Sequence, residues 1–322
     1  MPPSAHDARA ILADLMQQHS GLPVQPEELQ AVSAGASGRS IMRACGMLGI
    51  HWTNQRADNH SFLPAAHGLA AAGLRVPAIL AEKELPGQCG ACLVQDLGTV
   101  DILSLRTAPW ADRRAAYEQA FHTLLPLYQL KPAWELQPAF DAKLYRWEQE
   151  YFAEHLITRH LGQDAAAFLA QPALQAMADW LAELPRVPVH RDCQSQNIML
   201  HAGHAWLIDF QGMRYGRKEY DLASLIYDPY MQLTEGERNE LLQLWEQMEG
   251  QPLPQDVFHA CAMQRLMQAL GAFANIGYNQ QRDWYLNLIP AGLAALKHAA
   301  AHTPDSSPAR PVAACILQLL NT

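Results

Sequence analysis

The sequence has few positive charges and no basic run. Of its 322 residues, 23 are Lys or Arg and 32 are Asp or Glu, which gives a net charge of −9. A protein that binds nucleic acid through the phosphate backbone needs clustered Lys and Arg side chains. The composition therefore argues against a nucleic-acid partner. We expect any phosphate that this chain binds to be held by a few specific contacts and a metal ion.

Long apolar runs are also missing. No stretch approaches the roughly 20 apolar residues of a membrane span, so we expect no membrane partner. The opening "MPPSAHDARA" lacks the basic start and apolar core of a signal peptide. The six cysteines are scattered, as is usual in a reducing compartment. We therefore expect a cytoplasmic protein. We also expect a monomer.

Cys89 and Cys92 form the only Cys-x-x-Cys pair. A zinc site would need a second pair, and a thioredoxin-like site would need a strand–helix–strand context. Neither is present, so we interpret the two cysteines as small residues of a hairpin.

Two regions of different character make up the chain. Hydrophobic residues account for 49% and charged residues for 17%, which is an ordinary globular composition. The pattern up to residue 97 predicts mostly strands, with helices over 4–20 and about 56–74; residues 98–322 are mostly helical. We predict an α+β protein with a small β-rich lobe, 1–97, a larger helical lobe, 98–322, and a ligand in the cleft between them.

The stretch "VHRDCQSQNIML" carries the strongest chemical signal. It contains His190-Arg191-Asp192, with Asn197 five positions after the Asp, and the apolar run "AWLI" then leads to Asp209. Phosphoryl transfer needs a carboxylate beside the attacking hydroxyl and hard oxygen ligands for Mg²⁺. The spacing H-R-D-x-x-x-x-N followed by D-F supplies both.

Flanking segments extend the pattern beyond this loop. They are "GRKEYDLASLIYDPY", "FDAKLYRWEQEYF" and "MQRLMQALGAFANIGYNQQRDWYLNLIP". With the catalytic loop, they resemble the aminoglycoside phosphotransferase (choline kinase-like) superfamily. Within it, the chain looks most like the bacterial cell-wall sugar kinases that phosphorylate the anomeric hydroxyl of N-acetylmuramate and N-acetylglucosamine. The likeness covers roughly residues 30–300.

This resemblance implies a bilobal, protein-kinase-like fold that uses ATP and Mg²⁺. Asp192 would be the catalytic base, with His190 and Arg191 beside it. Asn197 and Asp209 would be the Mg²⁺ ligands. The resemblance also assigns three further groups: a buried brace for the catalytic loop at Asp221, a loop over the phosphates with Gly35, Ser37, Gly38 and Arg39, and a hinge that pairs the adenine edge through the backbone of Gln95 and Leu97.

One departure concerns the phosphate-binding lysine of this fold. The strand "MLGIHWTN" has no lysine, and Lys83, beside the next turn, is the only lysine before Lys131. The nearest cations are Arg39 and Arg43. Arginine can bind phosphate with two parallel hydrogen bonds, and we favour Arg43 because it follows the Gly-rich loop on a strand. Gln211 replaces the Gly of the D-F-G pattern.

The sugar pocket is less well defined. Glu148 falls on a helix of the resembled branch, where a carboxylate would suit sugar hydroxyls; a solvated helix face is the alternative. Gln264 and Gln268 share one face of an otherwise apolar helix. Buried polar groups need partners, and a sugar or a backbone carbonyl could serve.

Three functions compete. The first is an ATP-dependent kinase of an N-acetylated hexosamine, acting at the anomeric hydroxyl and serving peptidoglycan recycling. The second is an aminoglycoside or other small-alcohol phosphotransferase, which the acid-free tail "PVAACILQLLNT" disfavours because polycationic drugs need acidic pockets. The third is a nucleotide-binding pseudokinase, which only the missing lysine supports.

Overall fold

The computed structural model describes residues 5–32, 39–54, 56–87 and 89–321. Two compact units make up the chain. The first, the sheet unit, contains residues 1–100, 131–137 and 199–212; the second, the helical unit, contains 101–130, 138–198 and 213–322. The first division lies close to the predicted boundary after residue 97. The two short later segments of the sheet unit were not predicted to belong to it.

A five-stranded antiparallel sheet forms the centre of the sheet unit. Its strands stand in the order β1-β2-β3-β5-β4. The predicted helix over 4–20 is confirmed as α1 (Ala5–Ser20), whose Leu12 and Met16 are buried against the sheet. Gly49 lies under this helix, because a Cβ there would come within 2.9 Å of Leu12. The strands are β1 (Gln30–Ala31), β2 (Ser40–Ala44), β3 (Met47–Trp52), β4 (Ile79–Leu85) and β5 (Cys89–Gln95).

The later segments of the sheet unit join it through specific contacts. The helix predicted near 56–74 is a 3-10 turn followed by α2 (Phe62–Ala71). Trp134 covers Gly68 of α2 so closely that a Cβ at Gly68 would overlap the indole. Gln137 donates to Ser61 Oγ at 2.6 Å. Strands β7 (Ile198–His201) and β8 (His204–Leu207) then form a hairpin, and Leu207 N–H donates to Arg75 O at 2.9 Å.

Helices dominate the helical unit. The apolar helix predicted around Gln264 and Gln268 is α9 (Gln255–Asn279), which is buried along most of its length and packs against several of the others. The helix α4 (Ala142–Phe152) continues as a π-helix over 153–160, and Pro172 is the first residue of a later helix. The other helices are α3 (Trp110–Leu127), α4 (Ala142–Phe152), α5 (Ala166–Leu169), α6 (Pro172–Glu183), α7 (Lys218–Ile226), α8 (Glu235–Glu249), α10 (Ile289–Ala301) and α11 (Arg310–Leu319).

A short antiparallel pair, β6 (Val187–Val189) with β9 (Arg214–Gly216), places the loop that follows β6 beside α7. Among the residues that the structure describes, no helix is both long enough and apolar enough to cross a membrane.

Candidate active site

The loop after β6 is fixed by a buried carboxylate. Asp221, on α7, accepts the backbone N–H of His190 at 2.6 Å and that of Arg191 at 2.8 Å. Arg191 has a positive φ of 77°, which is strained for a side chain of its type. Burial raises the pKa of Asp221 to about 6, although His190 and the two backbone donors oppose the rise. The two N–H groups therefore hold the strained turn in place.

Asp192 follows this turn and is kept ionised. Burial would raise the pKa of Asp192, but the Arg191 and Arg265 guanidinium groups outweigh it, and the pKa lies below its ordinary value. Arg191 Nη1 lies 3.5 Å from Asp192 Oδ2, and Arg265 Nη2 lies 3.8 Å from Oδ1. The carboxylate side chain remains 27% exposed. It can therefore accept a hydrogen bond from a bound molecule.

Asn197 is oriented by the same loop. Its Nδ2 donates to Asp192 O at 2.8 Å, which leaves Oδ1 as the acceptor atom for another group. A second buried carboxylate, Asp228, accepts the N–H of Ser195 at 2.8 Å. The short 3-10 turn Ser195–Asn197 is thus held from both ends.

Asp209 lies in the sheet unit within a polar network. It has a positive φ of 61°, and its Oδ1 accepts from Gln211 Nε2 at 2.7 Å. Gln211 Oε1 in turn accepts from Arg39 Nη1 at 3.1 Å, and Arg39 Nε donates to Asn59 Oδ1 at 2.8 Å. Gln211, which replaces the Gly of the D-F-G pattern, therefore links Arg39 to Asp209.

Arg39 is the less satisfied of the two predicted phosphate cations. Its guanidinium lies 4.9 Å from the Phe62 ring centroid, and the residue is only 6% exposed. Burial lowers the pKa of Arg39, and the Asp209 carboxylate counteracts this. Nη2 is buried and has no hydrogen-bond partner in the described part of the chain. The other predicted loop residues, Gly35, Ser37 and Gly38, lie outside the described residues.

Arg43, the favoured phosphate cation, has a different set of partners. Its Nε and Nη2 pair with the two oxygens of Asp96 at 2.7 and 3.0 Å, and Nη2 also donates to Gly98 O at 2.8 Å. Asp96 accepts the Gly98 N–H as well, at 2.8 Å. Arg43 therefore joins β2 to the segment after β5, and nothing in this geometry directs it toward a phosphate.

The predicted hinge residues are partly engaged within the sheet unit. The Gln95 N–H donates to Ala78 O at 2.9 Å, and Leu97 O lies 3.2 Å from His201 Nδ1. The Gln95 N–H cannot pair with an adenine without giving up Ala78 O, whereas Leu97 O keeps a second lone pair that can accept another hydrogen bond.

A family model, the phosphotransferase enzyme family (APH), matches residues 51–255, more than half of the chain, and this range contains the whole catalytic loop and Asp209. The chain belongs to this family. The phosphotransferase is also 29% identical over 305 residues to the N-acetylmuramate/N-acetylglucosamine kinase of Pseudomonas aeruginosa, covering 88% of this chain and 86% of that one. It is 28% identical over 310 residues to the kinase of the same name from Pseudomonas putida, covering 91% and 90%.

Solved structures show the same fold. A choline/ethanolamine kinase family protein from Mesorhizobium loti superposes with a TM-score of 0.61 at 14% identity, covering 97% of this chain and 98% of that one. An aminoglycoside phosphotransferase of Streptomyces rimosus, solved with ADP and streptomycin, superposes with a TM-score of 0.60 at 16% identity, covering 81% and 98%. The predicted α+β, protein-kinase-like fold of the phosphotransferase is confirmed.

The residues predicted for a sugar pocket lie partly in the core of the helical unit. Glu148 is fully buried and accepts from Tyr220 Oη at 2.7 Å and from Gln264 Nε2 at 2.9 Å. Burial raises its pKa to about 7, against the opposing effect of these donors. Gln264 also donates to Tyr145 O at 2.6 Å, so it has the backbone partner that was the alternative to a sugar. Gln268 is half-buried and bonds Arg265.

Two residues in contact with the candidate catalytic loop were missed. Arg265, which lies beside Asp192 and donates from Nε to Ser224 Oγ at 3.0 Å, stands within the quoted "MQRLMQALG" segment. Asp228, which fixes Ser195, ends the quoted "YDLASLIYD" segment. Both residues lie in segments that served only to support the family resemblance. The sequence therefore contained the information, but no role was assigned to either residue.

Proposed function

We propose that this phosphotransferase transfers the γ-phosphoryl group of ATP to the anomeric hydroxyl of an N-acetylated hexosamine, N-acetylmuramate or N-acetylglucosamine. The name of the relatives from two Pseudomonas species, which match about nine-tenths of the chain, supports this substrate class. The observation that carries the proposal is the partly exposed, ionised Asp192 on a loop braced by Asp221.

Asp192 would orient the sugar hydroxyl and accept its proton. The hydroxyl oxygen forms a bond to the γ-phosphorus while the bond from that phosphorus to the bridging oxygen breaks, and ADP leaves. The proton moves from the hydroxyl to Asp192. A carboxylate of low pKa is a weak base, so its main contribution is orientation. The anomeric hydroxyl is the most acidic hydroxyl of a sugar, which suits such a base.

Asn197 and Asp209 would hold Mg²⁺. Their donor atoms fit a hard cation, because both residues offer side-chain oxygens and Asn197 already uses its nitrogen on Asp192 O. When bound, the ion supplies neutralisation of charge on the phosphates. Within its own unit, each side chain is oriented: Asn197 by its bond to Asp192 O and Asp209 by the bond from Gln211.

Arg39 would replace the missing phosphate lysine. It is buried, it is bonded to Gln211 beside Asp209, and Nη2 lacks a partner among the described residues. An unpaired N–H of a buried cation is costly, and a phosphate oxygen would satisfy it. Among the residues proposed for the sugar pocket, Gln268 has access to solvent, whereas Glu148 and Gln264 would support the pocket from the core.

A turnover assay with a substrate panel tests the proposal. ADP release with Mg-ATP should be fast with N-acetylmuramate or N-acetylglucosamine. It should be at background with 1,5-anhydro-N-acetylglucosaminitol, which differs from N-acetylglucosamine only in lacking the anomeric hydroxyl. Equal turnover of this analogue would move the reaction to another hydroxyl. Turnover of kanamycin or choline in place of the sugars would replace the substrate class, and no turnover with any acceptor would favour the pseudokinase.

A further inference from the structure

A group of three metal-binding side chains lies in the helical unit, on elements other than those that carry the catalytic loop. Glu235 is the first residue of α8, and His298 and His302 lie on and at the end of α10. One ligand atom from each residue lies within 4.8 Å of the others. It is the only group of this kind among the described residues, and the phosphoryl-transfer chemistry does not use it.

The two histidines have the spacing of a helical chelate. They are four positions apart, so their side chains lie on the same helix face. Their rings are stacked at a centroid distance of 4.0 Å with an interplanar angle of 16°. Two nitrogens on one helix face, joined by a carboxylate from a second helix, make a His₂Glu set, which leaves a fourth position open on a tetrahedral ion.

Hydrogen bonds to the other ring nitrogen orient both imidazoles. His302 Nδ1 lies 2.9 Å from His298 O. Since a carbonyl can only accept, Nδ1 carries the proton and the lone pair stays on Nε2. His298 Nδ1 lies 3.2 Å from Tyr227 Oη. Metal-binding histidines are usually fixed in this way through the nitrogen that does not bind the ion.

The ligand atoms themselves are not used elsewhere. His298 Nε2 is buried and has no hydrogen-bond partner in the described ranges. His302 Nε2 lies 3.7 Å from Glu235 Oε1, beyond a hydrogen bond. Glu235 is not needed to cap α8, because Thr234 and Glu237 form the capping box. The carboxylate and His302 are 64% and 46% exposed in their side chains, so an ion can enter from solvent.

We propose that Glu235, His298 and His302 form a binding site for a divalent transition-metal ion of the zinc class. Two imidazoles and one carboxylate suit Zn²⁺, Co²⁺, Ni²⁺ or Cu²⁺ and do not suit Mg²⁺, which prefers oxygen. Ligands about 2.0–2.1 Å from one ion stand roughly 3.3 Å apart. On binding, the group therefore closes, and the two stacked rings turn so that their in-plane lone pairs meet at the ion. The Arg238 guanidinium, stacked on Tyr227, is a cation whose charge acts on His298 and opposes metal binding, and the Glu235 carboxylate offsets it.

Zinc binding to the tag-free, chelator-stripped protein tests this site. With zinc alone as the probe and a chromophoric chelator as competitor, we expect one equivalent whose binding raises Tm. His298→Ala and Glu235→Gln should each weaken binding at least about tenfold, and His302→Gln likewise. His122→Ala, which removes an exposed histidine of α3, is the matched control and should bind as the wild type does.

Several results would overturn the site. These are no zinc equivalent in the wild type, unchanged affinity in the His298→Ala/His302→Gln double variant, and an equal loss in His122→Ala. Displacement of the zinc by millimolar Mg²⁺ would assign it to the oxygen ligands of the active site instead. His302→Gln alters a half-exposed side chain, so it keeps the test valid if His298→Ala does not fold. Cobalt absorption bands typical of four-coordination should appear in the wild type and be lost in the His298→Ala/His302→Gln double variant.

Discussion

Asp192 and Glu148 are both carboxylates of the helical unit, yet their surroundings are opposite. Asp192 is partly exposed, two arginines lower its pKa, and no protein donor bonds its side chain closely among the described residues. Glu148 is fully buried, its oxygens accept from Tyr220 and Gln264, and its pKa is raised to about 7. Asp192 is thus an anion that a bound molecule can reach, whereas Glu148 has its hydrogen bonds within the core.

Arg39 and Arg43 repeat this contrast in the sheet unit. Arg43 has its Nε and Nη2 occupied by Asp96 and Gly98, whereas Nη2 of Arg39 is buried without a partner among the described residues. In both pairs, the residue with unused bonding capacity is the better candidate for function. Residue type alone does not distinguish Arg39 from Arg43, whereas the place of Asp192 in the H-R-D-x-x-x-x-N pattern already separates it from Glu148.

The largest expected effect is that of Asp192→Asn. The amide keeps the shape of the side chain but cannot accept the proton, so kcat should fall by about 10²–10⁴. ATP affinity should survive, because this carboxylate is not proposed to hold the nucleotide. Steady-state kinetics and nucleotide titration measure both. Activity within a few-fold of the wild type would remove Asp192 from the mechanism and break the contrast with Glu148.

The proposed metal ligands should differ in severity. Asp209→Ala removes a charged oxygen and Asn197→Ala a neutral one, so the loss in kcat/KM for Mg-ATP should be greater for Asp209→Ala. Raising the Mg²⁺ concentration should recover part of the Asn197→Ala activity. Equal, mild losses that do not respond to Mg²⁺ would mean that the ion is held by other residues.

The arginine pair gives a smaller, sharper test. Arg39→Ala should raise the KM for ATP and lower kcat, by about tenfold for the loss of one strong charged hydrogen bond. Arg43→Ala should leave the ATP KM unchanged and lower Tm slightly, since a partly exposed ion pair contributes about 0–1 kcal/mol. The reverse result would restore Arg43 as the phosphate cation.

Glu148→Gln should have the smallest effect on activity, and its effect on stability should depend on pH. With a pKa raised from 4.5 to about 7 in the folded state, Glu148 binds more protons when folded than when unfolded between these values. The stability of the wild type relative to Glu148→Gln should therefore fall as pH rises from 5 to 8, by at most about 3 kcal/mol. If the plots of Tm against pH for the wild type and Glu148→Gln stay parallel over this range, Glu148 ionises as an exposed carboxylate does.

Local patterns predicted the elements and the catalytic loop, because spacing within a few residues determines both. The helix α1, the strands β2 to β5 and the order Asp192, Asn197, Asp209 could be predicted in this way. The partners of single side chains could not. Asp96 stands 53 residues after Arg43, and Gln264 stands 116 after Glu148, so only the folded chain brings these pairs together.

The same limit applies to polar residues on apolar helices. Gln264 was predicted to bind either a sugar or a carbonyl, and the hydrophobic pattern of α9 gave no means of choosing. Its bond to Tyr145 O depends on the packing of α4 against α9, and the hydrophobic periodicity of a single helix does not predict that packing. Burial of the chain around a polar group decides whether that group is left for a ligand.

The contact of Trp134 with Gly68 has a consequence for synthesis of the chain. The sheet unit contains residues 131–137 and 199–212 in addition to the first hundred residues of the chain. On a ribosome, the strands β1 to β5 emerge long before Trp134 and the β7–β8 hairpin that complete their surroundings. Contacts of such long sequence separation slow folding, and domains that are complete early fold first during translation. The sheet unit therefore begins to fold before the helical unit, and it completes its folding only after residue 212 has been made.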